Sequence, residues 1–184
     1  EGWHGGGLAL NGQNSQVVPD KLALSDISEN FTLSLWILPM APRASDVEAA
    51  DGTSGSKGQK WVVFPLNGEA YQKADHAGVG ISVGDNGIGV YEHSSNYMPC
   101  VLNCDRQIVG WTHVAVVYRG RVPMLYINGV WVKTGVVGAR KTKHPSAMLG
   151  TDRVDYGCFR GNVDDFRIYN RALAPEEVAE LARR

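Results

Sequence analysis

The sequence predicts an all-β fold, an antiparallel β-sandwich closed by one short C-terminal α-helix. Three observations carry that prediction. Short segments of alternating apolar and polar residues recur along most of the 184 residues, and a period of two marks a half-buried strand. Tight-turn signals, Asp85-Asn86-Gly87 and Asn128-Gly129, join neighbouring segments as hairpins. No helical periodicity separates the segments, so the crossover helices of a parallel sheet are missing. The 22 glycines and 8 prolines supply the many turns that such a fold requires.

In chain order, "FTLSLWI" (31–37) puts Phe31, Leu33, Leu35 and Ile37 on one face. "GVGISVG" (78–84) groups Val79, Ile81 and Val83, and its turn leads into "IGVYEHS". "WTHVAVVY" (111–118) is long and β-branched, and "PMLYINGVWVKTG" (123–135) is two strands around Asn128-Gly129. In "GNVDDFRIYNRAL" (161–173), alternation groups Asp164 with Phe166 and Ile168, and Asp165 with Arg167 and Tyr169. Phe166 and Ile168 are core residue types. Asp164 is therefore expected on the core side, where a carboxylate needs a neutralising partner. "APEEVAELARR" (174–184) has Pro175 at the first helical position, Glu176 and Glu177 in the first turn and arginines at its end, the charge order of a helix. Val178 and Leu181 can face the sandwich together, which predicts a lid on one sheet edge.

Segment 40–60, "MAPRASDVEAADGTSGSKGQK", lacks periodicity and is too long for an ordinary connection. It reads as a surface insertion, or as a loop that helps to wall a ligand site.

The length is most simply that of one domain, spanning 1–184. With 18 Lys plus Arg against 19 Asp plus Glu, composition gives no support to nucleic-acid binding. No run of about 18 apolar residues exists, so membrane insertion through a helix is not expected. No signal peptide is visible, and "EGWHGGGLAL" reads as a mature start or an excised domain. The 3 cysteines permit one disulfide without fixing the compartment. Cys100–Cys104 is the expected pair, with Cys158 unpaired; a bridge from Cys158 to either, or free thiols throughout, are the alternatives.

Several stretches together carry a family resemblance. They are "LALNGQNSQVVPD" (8–20), "FTLSLWILP" (31–39), "GWTHVAVVYRGRVPMLYINGVWVKTG" (110–135) and "FRGNVDDFRIYNRALAPEEV" (159–178). In this order they resemble a laminin-G-like jelly roll of the concanavalin-A-like lectin/glucanase superfamily, outside segment 40–60 and much of 61–104. The resemblance implies the jelly-roll form of the sandwich. It says less about function, because such domains serve as sugar-binding modules, adhesion modules and sometimes catalytic domains. It also implies a structural calcium between the first and last strands, with Asp164 as charged ligand and the Asn11-Gly12 turn supplying further oxygens. Calcium takes about 6–8 such oxygens. Related sequences commonly have aspartate where this one has Asn11.

Catalysis has weaker footing. A retaining glycosidase needs two carboxylates about 5–5.5 Å apart, as an E-x-D-x-x-E strand provides, and no such array is present. Jelly-roll polysaccharide lyases use a His/Tyr pair, and "VYEHSSNYMP" (90–99) offers Tyr91, Glu92, His93 and Tyr97, but the lyases' Q-I-H strand motif is missing. His113, Trp36 and Trp111 read as packing residues, and His4, His76 and His144 lack metal-ligand spacing.

The sequence therefore points to a non-catalytic, calcium-stabilised carbohydrate-binding module, secreted or at the cell surface within a larger multidomain protein. Its partner would be a glycan or polysaccharide. The expected ligand residues are Tyr91, His93, Asn96 and Tyr97, with the two tyrosines exposed; Trp61, Tyr71 and Tyr156 are secondary candidates. Aromatic faces stack on sugar C–H surfaces while neighbouring polar groups bind hydroxyls. A protein-adhesion module is the alternative, and a lyase or hydrolase domain the second.

Overall fold

A computed structural model describes residues 1–21, 23–71 and 75–184. Its strands are β1 (Leu8–Asn11), β2 (Gln16–Val17), β3 (Phe31–Pro39), β4 (Trp61–Val63), β5 (His76–Gly84), β6 (Gly87–His93) and β7 (Cys100–Cys104). They continue with β8 (Thr112–Arg119), β9 (Val122–Ile127), β10 (Val130–Thr134), β11 (Thr142–Pro145), β12 (Leu149–Gly150) and β13 (Arg160–Tyr169), and the helix α1 is Pro175–Leu181. The first sheet runs β1-β13-β3-β8-β9-β10 and the second β2-β12-β4-β5-β6-β7. All neighbours are antiparallel except β11, which lies parallel to the start of β5. This is a jelly-roll sandwich.

The core lies where the alternation places it. Phe31, Leu33, Leu35 and Ile37 of β3 meet Val79, Ile81 and Val83 of β5 across the sandwich, with Val114, Val116 and Leu125 beside them. The β9–β10 turn has Asn128 and Gly129 at φ 50° and 78°, the left-handed geometry that a two-residue hairpin needs. The helix differs from expectation in two respects. It packs on the outer face of the first sheet rather than an edge, where Val178, Leu181 and Leu173 cluster with Ala115, Val117 and Tyr126. It also ends at Leu181, so Arg183 and Arg184 follow it and pair back to Glu180. Its N-terminus is closed by Glu177, whose carboxylate accepts from the Ala174 N–H at 2.9 Å and from Arg171. That guanidinium and the backbone donor hold the Glu177 carboxyl at about 2.

The closing strand also corrects the alternation. Asp164 pairs with Trp36, and Arg167 pairs with Ser34. Two steps along β3 are thus matched by three along β13, and Asp165 takes up the extra residue at φ 48°. This β-bulge keeps Phe166 and Ile168 against the core but turns Asp164 to the outer face with Trp36.

Expected partners within strands fail for a geometric reason in one more case. Cys100, Cys104 and Cys158 are all free thiols. Cys100 and Cys104 stand at opposite ends of β7, and four strand residues span roughly 13 Å, while a disulfide tolerates about 7 Å between α-carbons.

Candidate functional site

The outer face of the second sheet is built to be covered. Gly78 and Gly80 of β5 pair with His93 and Tyr91 of β6, and Ser82 pairs with Gly89. Small residues let backbone approach closely here: a Cβ on Gly80 would come within 2.5 Å of Pro65, and one on Gly78 would strike Leu66. Segment 40–60 covers the remainder. Gly55 lies against the Tyr91 ring, and backbone bonds run from Gly55 N–H to Met98 O and from Ala49 N–H to Cys100 O.

This cover decides the fate of the expected sugar-binding residues. Tyr91 points outward as alternation demands, yet it is fully buried, and its hydroxyl donates to Asp46 Oδ2 at 2.7 Å. Tyr97 is also buried, with its hydroxyl 3.0 Å from Glu92 Oε2 and 3.3 Å from Ala50 O. Burial pushes both phenols upward. Asn96 is exposed at the tip of the turn, with φ 51°, apart from these rings. His93 alone of the four borders an open space.

That space is a hollow of about 520 Å³ left between the covering segments. Phe64, Met148 and Tyr156 form its apolar wall, and Asn67, Asp152, Arg153 and His93 its polar one. Phe64 holds the centre, edge-on to Tyr156 at 6.3 Å, to His93 at 6.5 Å and to the buried Trp61 at 6.0 Å. Trp61 supports the wall from behind, donating its indole N–H to Tyr156 O at 3.1 Å. The Arg153 guanidinium lies 5.8 Å from the centre of the Tyr156 ring.

The polar groups are partly committed, which fixes what they can offer. His93 Nδ1 is 2.8 Å from Pro65 O, and a carbonyl only accepts, so Nδ1 carries the proton and Nε2 is an acceptor. Burial pushes the His93 pKa down, with the nearby Arg153 charge adding to it, so the ring is neutral at pH 7. Asn67 Oδ1 accepts from Glu69 N–H at 3.0 Å, which leaves its amide N–H groups to donate. Apolar walls with a few placed donors and acceptors can bind and orient a hydroxylated ring.

Of the residues expected from the sequence, His93 and the secondary candidate Tyr156 line the hollow, and Trp61 stands behind its wall. Phe64, Asn67, Met148 and Arg153 were missed. The visible signal was the alternating glycines of "GVGISVG", which announce close cover over that face and so a site bounded by loops.

The expected calcium ligands do not assemble. Asn11 stands opposite Arg160 in the β1–β13 register, and Asp164 lies four residues, roughly 13 Å, further along β13. Asn11 Oδ1 already accepts from Gln13 and Asn14 N–H at 2.8 and 3.1 Å. The Asp164 oxygens accept from His4 N–H at 2.8 Å and Asp165 N–H at 2.7 Å. The aliphatic stem of Arg160 packs against Gly12. These residues do not fit a calcium site, and among the described residues no group of three His, Cys, Asp or Glu could hold a metal ion.

Glu92 sits in the core. Its Oε2 is 2.7 Å from Lys143 Nζ and its Oε1 accepts from Tyr118 at 3.2 Å, with both charged side chains fully buried. Lys143 also donates to Gly138 O and Arg140 O. The four residues of the lyase reading are therefore dispersed: Tyr91 under the insertion, Glu92 and Tyr97 in this network, and His93 at the hollow.

A family model described as "Concanavalin A-like lectin/glucanases superfamily", of laminin-G type, matches residues 10–179. No curated protein matches the sequence. Among solved structures, a heptameric SAP-like pentraxin from Limulus polyphemus superposes with TM-score 0.56 at 12% identity, covering 94% of this chain and 80% of that one. Domain 4 of AbnA, a GH43 extracellular arabinanase from Geobacillus stearothermophilus solved with arabinotriose, gives 0.50 at 20% identity, covering 94% and 86%. The botulinum neurotoxin type G receptor binding domain gives 0.57 at 16% identity, covering 97% and 46%. At such identities the likeness is one of fold. No helix among the described residues is long and apolar enough to cross a membrane.

Proposed function

Since the chain belongs to the concanavalin A-like lectin/glucanase superfamily, we propose that it is a non-catalytic, extracellular module that binds a glycan in the hollow over its second sheet. The observation that carries this reading is one hollow lined by the aromatic rings of Phe64 and Tyr156 together with the polar groups of His93, Asn67 and Arg153. The arabinotriose held by the arabinanase domain supports the same reading. A flat protein partner would call for a wide apolar patch, whereas this surface is concave and half polar. Hydrolysis would call for a carboxylate pair, and Asp152 is the one carboxylate among the lining residues.

The test is titration calorimetry of native protein and Tyr156→Ala with glycans first identified on an array. Tyr156 is half-buried at the rim, so the variant should fold. Its affinity should fall about tenfold, the loss of one stacking contact and its area. Native affinity in Tyr156→Ala would place the site elsewhere.

A further inference from the structure

The outer face of the first sheet carries an aromatic contact of another kind. Trp3 stacks on Trp36 with ring centroids 4.0 Å apart and planes 14° from parallel. Trp36 is buried beneath it, yet Trp3 itself remains 43% exposed. Two hydrogen bonds anchor the Trp3 segment: Trp3 Nε1 donates to Arg184 O at 2.8 Å, and His4 N–H donates to Asp164 Oδ2 at 2.8 Å. Gly2 packs tightly against Gly7 and Asp164, and Gly5 stands at φ 74°, a left-handed conformation that suits glycine, but a Cβ on Gly6 would meet nothing within 4 Å. At Gly6 neither packing nor backbone geometry calls for glycine, and glycine there gives the strap freedom to swing.

Beneath the strap, the polar accounting is incomplete. Trp36 Nε1 and His113 Nδ1 are both buried without a hydrogen-bond partner. The two rings lie 5.5 Å apart, and His113 Nε2 is satisfied by Ser34 Oγ at 2.9 Å. A cover selected only to seal the sheet would not leave two such groups orphaned, since each carries a desolvation penalty. A flat indole face, orphan nitrogens beside it and the Asp164 carboxylate next to Trp36 in the register match the needs of a pyranose: C–H stacking, donors to its oxygens and an acceptor for a hydroxyl.

We infer that Trp36 is a sugar-stacking platform, separate from the hollow, and that Trp3 is its removable intramolecular occupant. A pyranose takes the place of the Trp3 indole, and Asp164 exchanges the His4 N–H for a sugar hydroxyl. Because Trp3 competes with the ligand, the native protein binds weakly at this face and strap release raises its affinity.

The experiment compares native protein, Trp3→Ala, Tyr156→Ala and the double variant, titrated with cellohexaose, xylohexaose and mannohexaose. The double variant should bind at least one of them about fivefold or more tightly than Tyr156→Ala does, as expected when a competing stacked ring is removed. Adding Trp36→Leu should abolish that gain while keeping an apolar side chain in place. Should Trp3→Ala fail to fold, His4→Pro removes the backbone donor to Asp164 and should produce the same gain. In native protein, saturating sugar should erase the circular-dichroism couplet of the stacked indoles. A strap-released variant no better than its parent for all three sugars overturns the inference. The hollow is judged from native protein against Tyr156→Ala, and the strap from Tyr156→Ala against the double variant, so either reading can fail alone.

Discussion

Cutting one partner from the Glu92–Lys143 pair should be among the costliest single changes in this protein. Both side chains are fully buried, 2.7 Å apart, and each has secondary partners that cannot replace the lost charge. Lys143→Met leaves Glu92 with only the Tyr97 and Tyr118 hydroxyls. Removing one member of a buried pair costs about 3–5 kcal/mol. For a chain of this size each kcal/mol moves Tm by about 2–4 °C, so the melting point should fall by roughly 6–20 °C. Burial pushes the Glu92 carboxyl up while Lys143 pulls it down. Without Lys143 the upward push of burial is opposed only by the Tyr97 and Tyr118 hydroxyls and prevails, so the folded variant takes up a proton that the unfolded chain does not. Its stability is therefore retained at low pH and lost as pH rises through the raised pKa. Urea melts of native, Lys143→Met, Glu92→Gln and the double variant at pH 5 and pH 8 measure this. Lys143→Met should be closer to native at pH 5, and the double variant should recover much of the loss, because a neutral pair leaves no buried charge. A cost below about 1 kcal/mol at pH 8, or no pH dependence, would refute the reasoning.

The histidines set a separate acid response. Burial holds His113 at about 4 and pushes His93 and His144 down; stability should be full above pH 6.5, fall as the unfolded chain takes up protons, and level off for His113 below pH 4. His113 alone contributes up to roughly 3 kcal/mol to that fall, and His113→Gln should flatten the slope of stability against pH between 6.5 and 4. Melting curves in calcium and in chelator should superimpose, because Asn11, Gly12 and Asp164 are not brought together; a clear upward shift in calcium would show a site elsewhere. Thiol titration without reductant should find all three cysteines once the chain is unfolded, with half-exposed Cys104 reacting first in the native state and Cys100, pushed up to about 11 by burial, lagging. Recovery of one thiol would restore the disulfide.

Much of the fold was legible because the strands are long enough for a period of two to be read. Phe31 to Ile37 and Val79 to Val83 occupy the core that alternation assigned, and Asn128-Gly129 turns where its left-handed preference requires. The candidate site was less legible, because alternation assigns a face and says nothing about what lies over it. Tyr91 does point outward. It is buried because segment 40–60, which has no period to read, folds back over it. Glu92 shares the inner face with Val90, and only Lys143, far along the chain, makes that position tolerable.

The closing strand shows how one residue redirects function. Had β13 kept its alternation, Asp164 would stand beside Phe166 inside the sandwich and would demand a buried cation. The bulge at Asp165 removes that demand by a single step of parity, and no local composition signals it, since Asp-Asp is compatible with either path. Once outside, Asp164 anchors the Trp3 strap through His4 N–H and flanks Trp36. A carboxylate that costs energy inside the core becomes, on the outer face, a hydrogen-bond acceptor that can serve either the strap or a ligand. Deleting Asp165 should therefore leave the carboxylate outside, because Asp164 and Phe166 then become neighbours on opposite faces of a regular strand; the strap should stay docked, and its release in that variant would refute this account of the bulge.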